Sequence, residues 1–330
     1  MKMISKLIIL LGSVLLVGCN SSLPDSGEQQ GEGEPIELAF NLYSAVVSKA
    51  GENTKTVMPV GSTFRIYAFK AGEMNLSNPV ATAMYTVVDT NGKSTGNLSL
   101  YRGNYDFYLI SNNTNQAPSL DAGVNYVTVD NGNDFMYNTI TNEVIQPESP
   151  GQNTMTVTLR TPFVRLGTKV DLSVKANAGS PVPVTGLAVQ KITIKSLSSP
   201  LAYRLGASDW NSGSSSYNAE YSVIKFGSGQ PTQPHDNTDP VVLLPVDGSV
   251  DLVFDLALNV SYMVYDAEGT GTQTSRIFNY QASAAKALLK GMKYKFEFTL
   301  TFFGILTPGD MTVSLLEYTE EDLSTDDVGK

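Results

Sequence analysis

From Ile36 onward, apolar residues recur at every second position in short bursts broken by turn residues, the period of strands with one buried and one solvated face. Phe64 and Ile66 flank Arg65; Tyr105, Phe107 and Leu109 alternate with Asp106 and Tyr108; Met155, Val157 and Leu159 alternate with threonines. Such alternation predicts antiparallel strands that pack one face on a core. Further strands are predicted over residues 36–43, 83–88, 95–100, 126–129 and 135–137. Asn91-Gly92, two residues that tolerate positive φ, turns the chain between residues 83–88 and 95–100. About seven or eight strands therefore precede residue 160, enough for one small sandwich.

The second half repeats the pattern. Val170, Leu172 and Val174 alternate with Asp171, Ser173 and Lys175, and Ile192 and Ile194 alternate with lysines and a threonine. Asp247-Gly248 links residues 241–246 to the clearest strand, in which Val250, Leu252, Phe254, Leu256, Leu258 and Val260 make one apolar face opposite Asp251, Asp255 and Asn259. A one-residue slip would expose that whole face, so its register is fixed. Glu268-Gly269-Thr270-Gly271 predicts a hairpin from residues 261–267 into 276–281. Residues 283–290 are alanine-rich and stop at Gly291, which predicts the only helical turn in the chain. Tyr294, Phe296, Phe298, Leu300 and Phe302 form another one-faced strand, and residues 311–315 a last one. The expected fold class is all-β, two tandem antiparallel β-sandwich domains over residues 36–161 and 162–316. The joint is placed where residues 146–151 hold two prolines and a glycine and Thr161-Pro162 follows one strand later. An acidic tail, 317–330, is expected to be mobile unless a partner holds it.

The first 18 residues do not belong to this pattern. Lys2 and Lys6 precede an apolar run from 7 to 17 that is too short to cross a bilayer, the arrangement of a secretory signal peptide. Its ending, Leu16-Val17-Gly18-Cys19, looks like a bacterial lipobox, in which Cys19 receives a diacylglycerol and the new amino terminus a further acyl chain such as palmitate. Three chains, at about 0.8 kcal/mol per buried methylene, would hold the protein on a membrane almost permanently. Residues 19–35 are Ser, Gly, Gln, Glu, Asp and Pro with little that is apolar, a flexible leash. Its Asp25, Glu28, Glu32 and Glu34 resemble the surface-export signals of Bacteroidetes lipoproteins, or serve only to solvate the spacer.

Charge and residue counts narrow the chemistry. A net charge of −10 argues against nucleic acid and against electrostatic adhesion to anionic lipid. Cys19 is the only cysteine, so with Cys19 lipidated no disulfide can form, and packing and sheet hydrogen bonds must hold the fold. His235, the only histidine, sits in the turn-rich Gln233-Pro234-His235-Asp236-Asn237 and is expected to be a solvated loop residue. No Gly-x-Ser-x-Gly elbow accompanies it, and histidine- or cysteine-based metal sites lack ligands. Asp130-Asn131-Gly132-Asn133-Asp134 lacks the spaced acids and closing glutamate of a calcium loop and is expected to be an Asx-rich turn. These absences predict no cofactor and no enzyme. Trp210, with Tyr203, Tyr217 and Tyr221, lies in a Ser- and Gly-rich stretch. Trp210 and Tyr217 are candidates to stack on a sugar, the alternative being that the aromatics pack their own loop.

The lipobox, the acidic leash, the strand Gly103-Asn104-Tyr105-Asp106-Phe107-Tyr108 and the late strand Gly291-Met292-Lys293-Tyr294-Lys295-Phe296-Glu297-Phe298 resemble the fimbrillin-like lipoproteins of Bacteroidales. The resemblance implies two transthyretin-like sandwiches in a subunit of surface fimbriae (type V pili), on the outer membrane, supporting adhesion to a host protein or glycan. It also implies that a protease cuts the loop after the first strand and that a neighbouring subunit fills the vacated groove by strand exchange. Here the removable strand is residues 36–43 and the loop residues 44–60. Family cleavage typically follows arginine; this loop offers only Lys49 and Lys55, and the first arginine, Arg65, lies in a predicted strand. An uncleaved anchor, a tip subunit and processing by a different protease all stay open. So does a surface glycan-binding lipoprotein that does not polymerise.

Overall fold

The computed structural model describes residues 33–42, 46–47, 53–54, 58–73, 78–121, 125–180, 182, 184–198, 200–211, 216–248, 250–302, 311–315 and 320–322. Among them every regular element is a strand. The first half contains β1 (Ile36–Asn41), β2 (Val46–Val47), β3 (Asn53–Thr54), β4 (Thr63–Lys70), β5 (Ala81–Val87), β6 (Ser94–Gly96), β7 (Leu98–Leu100), β8 (Gly103–Ser111), β9 (Tyr126–Val129), β10 (Met136–Ile145), β11 (Thr154–Thr158) and β12 (Val164–Arg165). A three-stranded sheet in the order β11-β1-β7 faces a six-stranded sheet in the order β12-β10-β8-β4-β5-β6. Ile36, Leu38, Phe64, Ile66, Phe107 and Val157 are among the residues buried between them.

The second half contains β13 (Thr168–Ala176), β14 (Val184–Leu197), β15 (Leu201–Arg204), β16 (Ala219–Val223), β17 (His235–Asp236), β18 (Val241–Leu243), β19 (Leu252–Tyr265), β20 (Gly271–Ala284), β21 (Met292–Phe302), β22 (Met311–Leu315) and β23 (Glu320–Asp322). One sheet runs β17-β13-β21-β22, with β18 also on β13 and β23 also on β21; the other runs β16-β14-β19-β20. The predicted apolar face is buried from Leu252 to Val260, while Val250 precedes β19 and is only partly buried; Phe254 meets Phe296 and Phe298 at ring distances of 4.9 and 5.2 Å. The predicted hairpin is present: β19 and β20 pair from Leu252↔Ala284 to Tyr265↔Gly271.

A third core draws on both sides of residue 161. Tyr67, Phe69 and Ile110 from before it cluster with Tyr203, Leu205 and Leu244 from after it. Phe135 stands 5.1 Å from Tyr203 and 5.7 Å from Trp210, ring to ring. β9 pairs with β15 across the same divide, Tyr126↔Arg204 to Val129↔Leu201. This explains why β4 and β8 are buried on both faces: Phe64, Ile66 and Phe107 enter the first core, and Tyr67, Phe69 and Ile110 enter the third.

Three expectations need correction. Residues 283–290 are not helical: β20 continues through Ala284, and Val246 and Leu288 exchange backbone hydrogen bonds of 3.0 and 2.7 Å. A helix this short cannot nucleate without help, and a partner segment was at hand. Gly291 has the expected positive φ, +67°, but in a turn leading into β21. The single strand predicted over 95–100 breaks at Asn97, where the chain crosses from the six-stranded to the three-stranded sheet. His235 is the third correction and is treated below. Separately, within the predicted tail Glu320–Asp322 is a strand, with Glu321 in register with Lys293; the rest of 317–330 lies outside the described residues.

Candidate functional site

Although first in the chain, β1 is the middle strand of its sheet. It runs parallel to β11, from Glu37↔Thr154 to Asn41↔Thr158, and antiparallel to β7, from Ile36↔Leu100 to Leu38↔Leu98. Alternation buries Ile36, Leu38, Phe40 and Leu42 and turns Glu37 and Ala39 to solvent. Phe40 packs edge-on against Tyr85 at 5.1 Å and Phe107 at 5.6 Å. At about 1.5–3 kcal/mol for each buried apolar side chain, the seat of β1 is worth on the order of 6–12 kcal/mol. That is comparable with the whole stability of a domain, about 5–15 kcal/mol.

The crossing at Asn97 ends β7 at Leu98 and leaves part of β1 without a backbone partner on that side. Two side chains fill the gap: the Tyr85 hydroxyl donates to Leu38 O at 2.6 Å, and Ser94 Oγ donates to Phe40 O at 2.6 Å. Beyond the gap the backbone resumes, with Leu42 N–H donating to Gly92 O at 2.8 Å. The Tyr85 ring lies so close over Gly96 that a Cβ there would come within 2.5–2.6 Å of its carbons, so position 96 requires glycine. Burial pushes the Tyr85 hydroxyl pKa up and keeps it a neutral donor. Tyr85 falls inside the strand predicted over 83–88, but its hydrogen-bonding role depends on the sheet crossing, which no local pattern reveals.

After β1 comes a short ribbon, Val46↔Thr54 and Val47↔Asn53, before β4. Cys19, Lys49 and Lys55 lie outside the described residues.

Of the other residues singled out by sequence, His235 is fully buried rather than solvated. β17 pairs with β13 at Val174↔His235, and the ring nitrogens lie 3.0 Å from Gly227 O and 3.3 Å from Gln230 O. A neutral ring donates its one N–H to one of these loop carbonyls, according to its tautomer, a role its proline- and aspartate-flanked sequence did not reveal. The segment 130–134 joins the two halves: Asn131 Nδ2 donates to Ser198 O at 2.8 Å, and its Oδ1 accepts from Leu244 N at 2.7 Å. Asp134 takes Arg165 Nε at 3.0 Å and Asn113 Nδ2 at 3.1 Å. Among the described residues no group of three His, Cys, Asp or Glu side chains is placed to hold a metal.

Trp210 is partly buried and packs against the third core, and its Nε1–H donates to Leu166 O at 3.0 Å. Tyr217 donates its hydroxyl to Asp247 and packs against the second core. The structure does not bring these two together as a stacking platform; each is engaged by protein partners.

A cavity of about 480 Å³ lies on the outer face of the β16-β14-β19-β20 sheet, lined by Lys191, Lys195, Glu220, Asp255, Asn279 and Gln281 among others. Lys195 Nζ sits 2.6 Å from Asp255 and 3.6 Å from Glu220. Hydrogen bonds from Lys195 and Gln281 hold the Asp255 carboxyl below its ordinary pKa. The same contacts raise the Lys195 pKa, so this pair stays charged on both sides.

No model of a known protein family matches the chain, and no curated protein matches it in sequence. Two solved structures share its fold: a candidate cell adhesion protein from Bacteroides fragilis NCTC 9343 and a fimbrial protein from Bacteroides vulgatus ATCC 8482. Each is 15% identical, with a TM-score of 0.53 over 87% of this chain and 99% of the other. At that identity the likeness is one of fold.

Proposed function

We propose that this chain is a structural subunit of bacterial surface fimbriae, as shaft, tip or anchor, held at the outer membrane by acyl chains on Cys19 and joined to neighbouring subunits by strand exchange. Its output is adhesion, and it catalyses nothing. The two units, residues 36–161 and 162–316, are read as transthyretin-like sandwiches. The observation that carries the reading is the seat of β1. A cut after Lys49 or Lys55 falls between β1 and β4, so β1 can depart while β4 and every later strand remain one polypeptide. The vacated groove has apolar holes at alternate positions, two unpaired strand edges, and the Tyr85 and Ser94 hydroxyls aimed where carbonyls must come. An extended strand from another subunit supplies all three, with main-chain bonds for affinity and alternate side chains for register. The likeness in fold to a fimbrial protein supports the same reading.

Mass spectrometry of surface fibres and of the membrane fraction tests this. Fibre-borne protein is expected to begin just past Lys49 or Lys55, and an anchor to begin at acylated Cys19. Recovery only as an uncut monomer, never in fibres, removes the basis for assembly.

A further inference from the structure

We infer that the free edge of β20 is a mating surface for the β20 of a second copy of this chain. This contact shares no residue with the seat of β1 and does not depend on strand exchange. Among the described residues, the other outermost strands are short: β6 and β7 have three residues, β11, β16 and β22 five, and β12 and β17 two. β20 has 14, ends its sheet, and pairs with β19 in a register without a bulge. Asp266 N–H donates to Thr270 O at 3.1 Å, which sets the phase of that ladder. Even-numbered residues of β20 bond to β19, so the odd-numbered ones, from Gly271 to Ser283, turn their N–H and C=O groups to the free edge. Gln273, Ser275, Ile277, Asn279, Gln281 and Ser283 are all exposed, Ile277 by 62%.

An edge this long is a template for another strand, and proteins ordinarily blunt it with lysine, proline, inward charges or a bulge. β20 has no lysine, proline, acid or bulge; its one charged residue, Arg276, lies opposite Val260 on the face of Phe278, away from the odd-numbered residues of the free edge, in a chain with 32 acids. Two copies with net charge −10 repel each other, so they meet at least electrostatic cost where neither carries a carboxylate. The strand is also complementary to itself. In an antiparallel pairing centred on Ile277, every free residue from Gly271 to Ser283 meets another free residue. Gln273 then faces Gln281, Ser275 faces Asn279, and Ile277 covers its own mate, with no like charges opposed. The contact is isologous, so it closes at two copies and fuses the two four-stranded sheets into one.

The register makes the test specific. In the full chain, Ile277→Cys places two thiols opposite each other, with Cα atoms ~5.5 Å apart and within disulfide reach. Asn279→Cys offsets the two positions by four residues, ~13 Å along the strand. Under mild oxidation, Ile277→Cys should give at least about tenfold more disulfide-linked dimer than Asn279→Cys, because only the former pair lies within bonding range. The double variant Ser275→Cys/Asn279→Cys should also cross-link, and the unaltered chain, whose sole cysteine is Cys19, is the blank. Equal yields from Ile277→Cys and Asn279→Cys overturn the proposal. So does an unaltered chain that sediments as a monomer at every concentration, a readout independent of how any variant folds.

Discussion

Replacing Phe40 by alanine probes the seat of β1 directly. Phe40 is fully buried, with Tyr85 and Phe107 against its ring at 5.1 and 5.6 Å. Removing a ring from such a site loses its transfer free energy and leaves a cavity that the surrounding sheets can only partly close, a cost of about 3–5 kcal/mol. With a urea slope near 2 kcal/mol/M, the transition that reports the first core should move down by about 1.5–2.5 M. Ala39→Ser, one position away on the solvent side of the same strand, should shift stability by less than about 0.5 kcal/mol. Hydrogen exchange read alongside denaturation localises the loss: amides of β7 and β11 should exchange faster, while those of β19 and β21 hold. A Phe40→Ala cost below about 1 kcal/mol, or no difference between Phe40→Ala and Ala39→Ser, would falsify the placement of β1 as a core-filling central strand.

Other consequences can be measured in the same way. Tyr85→Phe keeps the ring and removes the donor to Leu38 O; leaving that buried carbonyl unmatched should cost about 1–3 kcal/mol by denaturation. Asp134→Ala strips the partner from Arg165, whose side chain is only 8% exposed, and should cost about 3–5 kcal/mol; Asp134→Ala matching the unaltered chain in stability would refute the pairing. Lys195→Ala removes the main cause of the depressed Asp255 pKa, so a carboxyl NMR titration should show that pKa rise. The sign follows from linkage: this contribution to stability is present above the unfolded value of 3.8 and is lost as pH falls through the lower folded value. Trp210, the single tryptophan, should be a sensitive reporter of the third core, and Trp210→Ala should cost about 3–5 kcal/mol while leaving any saturable glycan binding on an array unchanged.

Strands with one buried face were the most legible part of the chain. β19 and β21 alternate so regularly that only one register hides Phe254, Leu256, Phe296 and Phe298, and local pattern alone decides it. β4 and β8 were legible as strands but not as two-sided ones, although the unbroken runs Tyr67-Ala68-Phe69 and Tyr108-Leu109-Ile110 carry that signal. What covers their second face comes from residues such as Tyr203 and Leu244, far along the chain, and no local rule reaches them. His235 misled for a related reason: a polar residue in a turn-rich stretch looks solvated, and its partner Gly227 O is set by tertiary packing, as is the bond from Leu244 N to Asn131 that the expected Asx-rich turn did not disclose. For the seat of β1, alternation gave the buried face of the strand. The parallel partner β11 and the Tyr85 and Ser94 plugs required the fold.

The third core also bears on mechanics. Units joined by a bare linker swing freely, and motion between them is the default when their interface is small and polar. Here aromatic rings and the β9–β15 pairing clasp the two halves, so a pull at one end reaches the other without first straightening a joint. Moving one half against the other means prising those rings apart and breaking that ladder, so the hinge a two-part chain would otherwise have is locked by its own side chains.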